Sequence, residues 1–218
     1  LDARVGAIAR DVFDATGVSI FRSGESEPLT ADGRTVVFGF FDDISRHARL
    51  VAGRWPGSSE AAVQVVVPDA VARGLQLRVG QLIQARSRVE ENRVVRARVV
   101  GIYRAERPSS AYWWGNPLMT AGAYGPLMTT RPSFFALGFQ DVELRWRLQP
   151  DVRLLTIDQA GPLRRKLALV PGRLNEGRPE GEQFDLETSL PEILASADRS
   201  LRLARAGVIV PSIQLALL

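Results

Sequence analysis

His47 is the only histidine in the 218-residue chain, so it is the first side chain to test for acid–base chemistry. Asp43 precedes it by four residues, and on a helix this carboxylate could orient the imidazole ring and make it a general base. A base of this kind needs a nucleophile, and the sequence contains no G-x-S-x-G elbow. We therefore interpret His47 as a surface or helix-capping histidine.

The single lysine, Lys166, follows Arg164 and Arg165 directly. Crowding by like charges could favour its neutral, nucleophilic form. Basic side chains on a helix normally face the solvent, where a charged run needs no further role. We therefore interpret this run as a solvated helix face.

Two acidic pairs, Asp42-Asp43 and Glu90-Glu91, could in principle supply the carboxylates of a hydrolase. Adjacent side chains on a strand or turn point in different directions, which suits a two-carboxylate mechanism poorly. We predict instead that the first pair caps a short helix and that the second pair lies in a hairpin turn.

Other catalytic and metal-binding motifs are absent from the sequence. The sequence has no glycine-lysine phosphate loop, no H-E-x-x-H, no calcium-loop spacing of acids and no cysteine. Disulfides, cysteine nucleophiles and cysteine–metal sites are thereby excluded. We predict a non-catalytic chain with no cofactor and no metal ion.

Aromatic residues are concentrated between residues 104 and 139, where prolines and glycines interrupt all periodicity. Tyr112, Trp113 and Trp114 are adjacent in this segment. Such a cluster either packs as a loop onto neighbouring strands or forms an exposed apolar patch that contacts a partner or a membrane surface. We expect the second arrangement, with at least one of Trp113 and Trp114 exposed, because neighbours in an extended segment face opposite ways.

Composition describes an ordinary globular protein, with 45% hydrophobic and 24% charged residues. The net charge is +4, and all but one of the 28 basic residues are arginine. The arginines are spread along the chain without a dense basic run, so nucleic-acid binding is not predicted.

The two ends of the chain carry helical patterns. Leu1, Val5, Ile8 and Val12 form one helical stripe, which Gly17 is placed to end. A second helix is predicted from Pro162 to Pro171-Gly172, with Leu163, Leu167 and Val170 buried. A long exit helix is predicted to begin near Ser189 or Leu190 and to run into the uncharged residues 207–218. Those residues are either the start of a transmembrane helix or a buried C-terminal segment.

Strand patterns fill the region between the helices. We predict strands at 18–22, 35–41 and 142–148, a polar loop at 23–30 and a turn at Asp32-Gly33. A short helical step at 68–73 ends at Gly74, and Gly80 then opens a hairpin. The hairpin directs Ile83, Ala85, Ser87, Val89, Val95, Ala97 and Val99 to one face and Gln84, Arg86, Arg88, Arg96 and Arg98 to the other.

These patterns predict an α+β fold with two subdomains. The two chain ends, residues 1–49 and 140–218, would form a split α/β subdomain. Residues 50–139 would form an inserted β-rich subdomain that carries the aromatic loop.

Several segments stand in an order that resembles one known family. They are a Gly-Arg-Trp-Pro turn at 53–56, an apolar strand at 61–67, A-R-G-L-Q-L-R-V-G at 72–80 and V-V-G-I-Y at 99–103. In this order the chain resembles the ectodomain of FtsX-like and MacB-like ABC-transporter permeases. The resemblance extends to Tyr112–Gly115 and to the closing segment Pro211–Leu218.

The resemblance implies a bacterial domain on the extracytoplasmic face of the cell membrane, attached to membrane helices at both ends. ATP would be hydrolysed by a separate cytoplasmic ATPase subunit, and the terminal helices would relay movement to an extracytoplasmic protein or to a lipid or peptide substrate. Both termini would then leave one face of the domain within about 20 Å of each other.

Two other function classes stay open from the residues alone. One is a soluble extracellular carbohydrate- or peptide-binding module that uses the aromatic segment for stacking. The other is a secreted hydrolase that relies on isolated carboxylates.

Overall fold

The computed structural model describes residues 2–14, 17–57, 62–90, 93–110, 112–113, 126–177, 184, 186–196 and 199. The chain divides into two compact units. Unit 1 comprises residues 1–20 and 148–218, and unit 2 comprises residues 21–147.

Unit 2 is built on a mixed β-sheet. The described strands are β1 (Val18–Ser26), β2 (Leu29–Ala31), β3 (Arg34–Val36), β4 (Phe38–Phe41), β5 (Ala48–Gly53), β6 (Val63–Pro68), β7 (Leu82–Ser87), β8 (Val94–Ala105), β9 (Leu127–Met128) and β10 (Val142–Pro150). Their order in the sheet is β10-β1-β4-β9-β6-β8-β7-β2-β3, and β5 pairs with β8. The pairs β6–β8 and β4–β9 are parallel. Together with the helices, this sheet confirms the predicted α+β class.

The helices within unit 2 are short. They are α2 (Ile44–His47), α3 (Asp69–Gly74) and α4 (Arg131–Ala136). Thr130 caps α4, because its side chain accepts a hydrogen bond from the amide of Ser133. Asp43 occupies the N-cap position of α2 in a left-handed conformation, φ 58° and ψ 24°, and its side chain makes no cap hydrogen bond. The predicted acidic cap is therefore wrong at the level of the side chain.

The β7–β8 hairpin confirms the predicted alternation within the strands, but Val89, predicted on the inward face, follows the end of β7 and is 65% exposed. Gly80 adopts φ +92° before β7, and the inward residues Ile83, Ala85, Val95, Ala97 and Val99 are at most 4% exposed. Ile83 pairs with Ala97, and Ala85 pairs with Val95. Period-two patterning therefore places one face of both strands in the core.

A close backbone contact occurs where β8 bends between its two sets of partners. The register of β8 against β6 shifts between Val65 and Val66. Gly101 lies at this shift, and a Cβ atom there would lie 2.4 Å from the carbonyl oxygen of Arg54. Only glycine allows the two backbones to approach this closely.

The polar loop expected at residues 23–30 is wrong. β1 continues to Ser26, and residues 23–25 pair with β4. The Ser26 hydroxyl is satisfied inside the sheet, because Ser26 Oγ accepts a hydrogen bond from the amide of Phe38 and donates one to Glu27 O. Arg147 donates to Ser23 Oγ, and Arg145 forms an ion pair with Glu25. Polar atoms that are hydrogen-bonded can be buried at little cost in free energy. The hydropathy of the sequence does not reveal such hydrogen bonds, so it predicted a loop here. The turn at Asp32-Gly33 is confirmed, with φ of 49° and 74° between β2 and β3.

Unit 1 is helical at its core. Its described helices are α1 (Asp2–Val12), α5 (Ile157–Asn175) and a segment at 190–196. They share one apolar cluster that contains the buried residues Ile8, Val12, Phe13, Ala160, Leu163, Leu167, Val170 and Leu194. The predicted stripes of α1 and α5 are confirmed at their described positions, whereas in the segment 190–196 Leu194 is buried and Ile193 is 58% exposed.

Helix α5 is longer than predicted at both ends. Thr156 and Gln159 form a capping box that starts it before Pro162, and the helix continues through Pro171 to Asn175. Leu174, beyond the expected stop, packs against the unit 1 core. Burial of this last turn outweighs the helix-breaking effect of Pro171.

The unit boundaries differ from the predicted ones at 49/50 and 139/140. β2 pairs with β7, β4 with β9 and β5 with β8, so strands from the predicted outer subdomain belong to the sheet of the predicted insertion. Sheet pairing brings these segments into unit 2, although nothing in their local patterns distinguishes them. Residues 207–218 and Leu1 lie outside the described residues, so the predicted proximity of the termini stays a prediction. None of the described helices is long and apolar enough to cross a bilayer.

Candidate functional site

Tyr112 and Trp113 are core residues of unit 2. Each is 2% exposed, and both belong to the cluster of Phe41, Ala48, Val66, Val100, Tyr103 and Met128. Their ring centroids lie 4.6 Å apart at 90°, an edge-to-face arrangement. The predicted contact of these two side chains with a partner or membrane is therefore wrong. Trp114 lies outside the described residues, and its contact role stays a prediction.

The polar atoms of both rings find backbone partners in the interior. Tyr112 Oη donates to the carbonyl oxygen of Asp42 at 2.7 Å, and Trp113 Nε1 donates to the carbonyl oxygen of Glu106 at 3.1 Å. Burial raises the pKa of the Tyr112 hydroxyl, so it stays protonated and keeps its donor role. Both rings can bury their full area without an unpaired polar group.

The expectation that Trp113 and Trp114 face opposite ways stays a prediction, because Trp114 lies outside the described residues; Tyr112 and Trp113 reach the same cluster because the backbone turns at this point. The amide of Trp113 donates to the carbonyl oxygen of Ser110 at 3.0 Å, so residues 110–113 form a turn. The opposite-face rule holds only for an extended chain. In the turn both aromatic side chains reach the same cluster.

His47 packs as an aromatic ring in the same region. Its imidazole stacks on Tyr112 with centroids 3.7 Å apart and planes 9° apart, and Phe21 approaches at 5.8 Å edge-on. Burial lowers the pKa of His47, nearby Asp43 raises it and Arg46 lowers it. The net direction is downward, so the ring is neutral at neutral pH. His47 is half-buried, which differs from the predicted surface or capping position.

Arg147 on β10 joins this cluster through its guanidinium group. Nη1 donates to the carbonyl oxygen of Tyr112 and Nη2 donates to Ser23 Oγ, both at 2.6 Å. The guanidinium lies 4.8 Å from the centroid of the Phe41 ring. Desolvation lowers the pKa of Arg147, yet the group stays charged because the ordinary pKa of arginine is so high. Through these two hydrogen bonds Arg147, on β10, connects Tyr112 of the aromatic turn with Ser23 of β1.

Lys166 is tied to α1 and is not simply solvated. Its Nζ donates to the carbonyl oxygen of Asp11 at 2.6 Å and to Asp14 Oδ2 at 3.1 Å. Arg173, about two turns further along α5, donates to Asp11 Oδ2, and this bond lowers the pKa of the Asp11 carboxyl. The basic face of α5 thus binds α1.

The acidic pairs are engaged separately. Asp42 forms an ion pair with Arg22, and Glu90 forms one with Arg93 at the β7–β8 turn. The predicted turn position of Glu90 agrees with the structure, and Glu91 lies outside the described residues. Within the described ranges, no three of the His, Asp and Glu side chains are grouped closely enough to hold a metal ion.

A basic surface on unit 2 is the other feature with a possible binding role. We call the exposed side of the β7–β8 hairpin, with Arg86, Arg96 and Arg98, the arginine face. Arg98 is opposite Leu82, Arg96 is opposite Gln84 and Arg86 is opposite Val94. Directly opposite residues point to the same side of a sheet, so arginines and uncharged residues share one surface. The sequence predicted this face correctly but assigned it no role.

Comparison with known proteins adds no assignment. No protein-family model matches the chain, and no curated protein matches it significantly in sequence.

Proposed function

We propose that the chain is a non-catalytic extracytoplasmic domain of an ABC-transporter permease of the FtsX-like or MacB-like type. In this role it relays ATP-driven movement of membrane helices to a protein, lipid or peptide outside the cytoplasm. A separate cytoplasmic subunit supplies the ATPase activity. The motif order between Gly53 and Tyr103 is the sequence basis of the proposal.

The observation that carries the proposal is the composition of the unit 1 core. Helix α1 and the segment 190–196, which stand at opposite ends of the described chain, both contribute buried residues to the apolar cluster that contains α5. Residues 21–147 are inserted between these parts as unit 2. A domain held at both ends by membrane helices needs this arrangement, because movement of either helix then acts on one core.

Polar contacts along α1 and α5 favour a relay that moves as one body. Arg4 Nη1 donates to the carbonyl oxygens of Leu174 and Glu176 at 3.2 Å and 2.8 Å. At the other end of α1, Asp11 accepts bonds from Lys166 and Arg173. With contacts at both ends and an apolar core between them, displacement of α1 would carry α5 with it.

The location can be tested through the absence of cysteine from this sequence. We would place single cysteines by Arg10→Cys in unit 1 and Arg49→Cys in unit 2, both at exposed positions, in the full-length protein in spheroplasts. A membrane-impermeant maleimide should label both. Val99→Cys, at a position with 0% exposure, is the matched control and should react only after denaturation. Labelling of the exposed positions only after lysis would contradict an extracytoplasmic location.

The relay is tested by breaking the ion pair between the two helices. Asp11→Asn combined with Arg173→Gln removes a contact between α1 and α5, and Asp151→Asn with Arg153→Gln removes a pair within a single loop. Both pairs are in contact with solvent, so each double change should leave the stability of the fold nearly unchanged. In a reconstituted complex with the ATPase subunit, only the first should lower the work done per ATP hydrolysed. Equal coupling in both variants would argue against a relay through α1 and α5.

A further inference from the structure

The arginine face is a continuous surface on the outer side of the sheet, and its side chains are either uncharged or basic. The strand residues that the register places on it are Thr35, Thr30, Arg86, Val94, Gln84, Arg96, Leu82, Arg98 and Gln64. None of these described residues is acidic or aromatic. Arg88, directly after β7, is also exposed.

The surface extends from the hairpin onto β6. Gln64 pairs with Arg98 across the parallel β6–β8 ladder. Arg54 Nη1 donates to Gln64 Oε1 at 2.9 Å, which places a further guanidinium beside Arg98. Arg98 itself donates to the carbonyl oxygen of Gly80 at 3.2 Å, and no ion pair joins it to a carboxylate within the described part of the chain. The result is a row of positive charge across several strands.

The register limits the repulsion within this row. No two of Arg86, Arg96 and Arg98 are directly opposite each other, because each is paired with Leu82, Gln84 or Val94. Like charges directly opposite would destabilise the pair of strands, whereas diagonal neighbours are further apart. The face can therefore keep several unneutralised charges on a stable hairpin.

Exposed aliphatic side chains are interleaved with the arginines. Leu82 is 45% exposed and Val94 is 39% exposed, and both lie on the same side of the hairpin as the charges. Val89, in the turn after Arg88, is 65% exposed. Basic groups with aliphatic neighbours fit the boundary between lipid headgroups and acyl chains. Surfaces that bind single-stranded nucleic acid use aromatic side chains for base stacking, and the described strand residues of this face include none.

We propose that the arginine face docks onto an anionic lipid bilayer. The guanidinium groups of Arg86, Arg96 and Arg98 would pair with lipid phosphates, whose oxygens they can bind in a bidentate manner. Leu82 and Val94 would enter the headgroup region between them. The proposal does not depend on the permease assignment, because it concerns the surface of unit 2 alone.

The test uses the purified full chain and vesicles that contain phosphatidylglycerol in phosphatidylcholine. The chain should float with these vesicles, not with pure phosphatidylcholine, and salt should weaken the binding. Each of Arg86→Gln, Arg96→Gln and Arg98→Gln should lower the partition coefficient about fivefold, and the triple change should lower it about a hundredfold. Circular dichroism and thermal unfolding identify any variant that fails to fold, in which case the single changes carry the test.

A matched control separates a specific face from net charge. Arg10→Gln, Arg164→Gln and Arg165→Gln remove three exposed arginines from unit 1 and give the same net charge as the first triple variant, +1 (+4 minus 3). This control should retain vesicle binding. An equal loss in both triple variants would overturn the proposal, since attraction would then depend on total charge and not on this face.

A second arm distinguishes lipid from other polyanions. Leu82→Ser with Val94→Thr keeps every arginine and should weaken vesicle binding several-fold while leaving binding to inorganic polyphosphate unchanged. Two results would overturn the lipid assignment. In the first, the Leu82→Ser, Val94→Thr variant binds both polyphosphate and vesicles as well as the unchanged chain does. In the second, the unchanged chain binds neutral and anionic vesicles equally. Because no ATPase or membrane helix takes part, failure here is distinguishable from failure of the proposed permease role.

Discussion

At the scale of single residues, the aromatic turn of unit 2 depends on paired polar atoms. The Trp113 indole is 2% exposed and hydrogen-bonded to Glu106 O, and Tyr112 is held by Asp42 O and by Arg147. Buried aromatic residues with satisfied polar atoms contribute their full area to the core. The contacts of these residues therefore stabilise the fold of unit 2.

Trp113→Ala should lower the free energy of unfolding by about 3–5 kcal/mol, because it leaves a large cavity in the core. Denaturant unfolding of the purified chain measures this loss. Phe135→Ala is the comparison, and its loss should be smaller because the Phe135 ring is already 47% exposed. An unchanged midpoint for Trp113→Ala would mean that the indole does not support the fold.

The lowered pKa of His47 predicts how the free energy of unfolding depends on pH. Its folded-state pKa is lowered, first by burial, from an ordinary value of about 6.5. The unfolded chain then binds the proton more tightly, so stability is fully present above the unfolded pKa and falls as the pH drops towards the folded pKa. The wild-type chain should therefore lose stability between about pH 7.5 and pH 5.

The control for this prediction is His47→Gln, which should flatten that part of the profile. His47 is the only histidine, so the difference between the two profiles isolates its contribution. The lowered pKa values of Asp11, Asp69 and Asp151 act at lower pH and are common to both proteins. Parallel profiles would show that protonation of His47 is not linked to folding.

At the scale of elements, strand β8 is the central piece of unit 2. It pairs with β7 and β6 and, beyond the register shift, with β5. Gly101 makes the shift possible, since an added Cβ would meet Arg54 O at 2.4 Å and Ala52 O at 3.1 Å. Backbone atoms cannot move aside as a flexible side chain can.

Gly101→Ala should therefore destabilise the chain by about 1–3 kcal/mol, the usual cost of overpacking. Gly74→Ala, at the end of α3, is the matched control because nothing lies within 4 Å of its added Cβ. That control should be neutral or slightly stabilising. Urea unfolding of both variants makes the comparison, and equal midpoints would contradict the close approach at Gly101.

At the scale of the whole molecule, the two units have separate cores. The unit 1 cluster joins α1, α5 and the segment 190–196, whereas the largest unit 2 cluster lies under β6, β7 and β8. Segments with separate cores open in separate steps, which hydrogen exchange resolves.

Leu167→Ala should accelerate amide exchange in α1 and α5 while leaving β6 and β8 protected. Leu167 is buried in the unit 1 core, and Val65 and Val99 of the sheet are fully buried in the other. Mass spectrometry of peptides from each unit measures both rates. Ala85→Gly, in the unit 2 core, is the reciprocal variant and should show the opposite pattern. Equal acceleration everywhere after either change would indicate one cooperative unit.

The sequence by itself determined the elements whose patterns are local. The stripe of α1, the alternation of the β7–β8 hairpin, the turn at Asp32-Gly33 and the arginine face all follow from side-chain periodicity, and the structure has each of them. Periodicity is sufficient there because one face of each element is buried and the other is in water.

Only the tertiary structure decided features that depend on distant partners. Residues 23–26 form a buried strand because they pair with β4 and because Arg147, Arg145 and the amide of Phe38 engage the side chains of Ser23, Glu25 and Ser26. Helix α5 continues past Pro171 because Leu174 packs on the unit 1 core. Tyr112 and Trp113 are buried together because a turn, fixed by Arg147 from a strand 35 residues further along the chain, directs both rings inward. The local sequence pattern does not show which distant group will hydrogen-bond to a polar residue, nor which distant side chain will hold a turn in place. The free energy that decides these positions comes from contacts between segments far apart in the sequence.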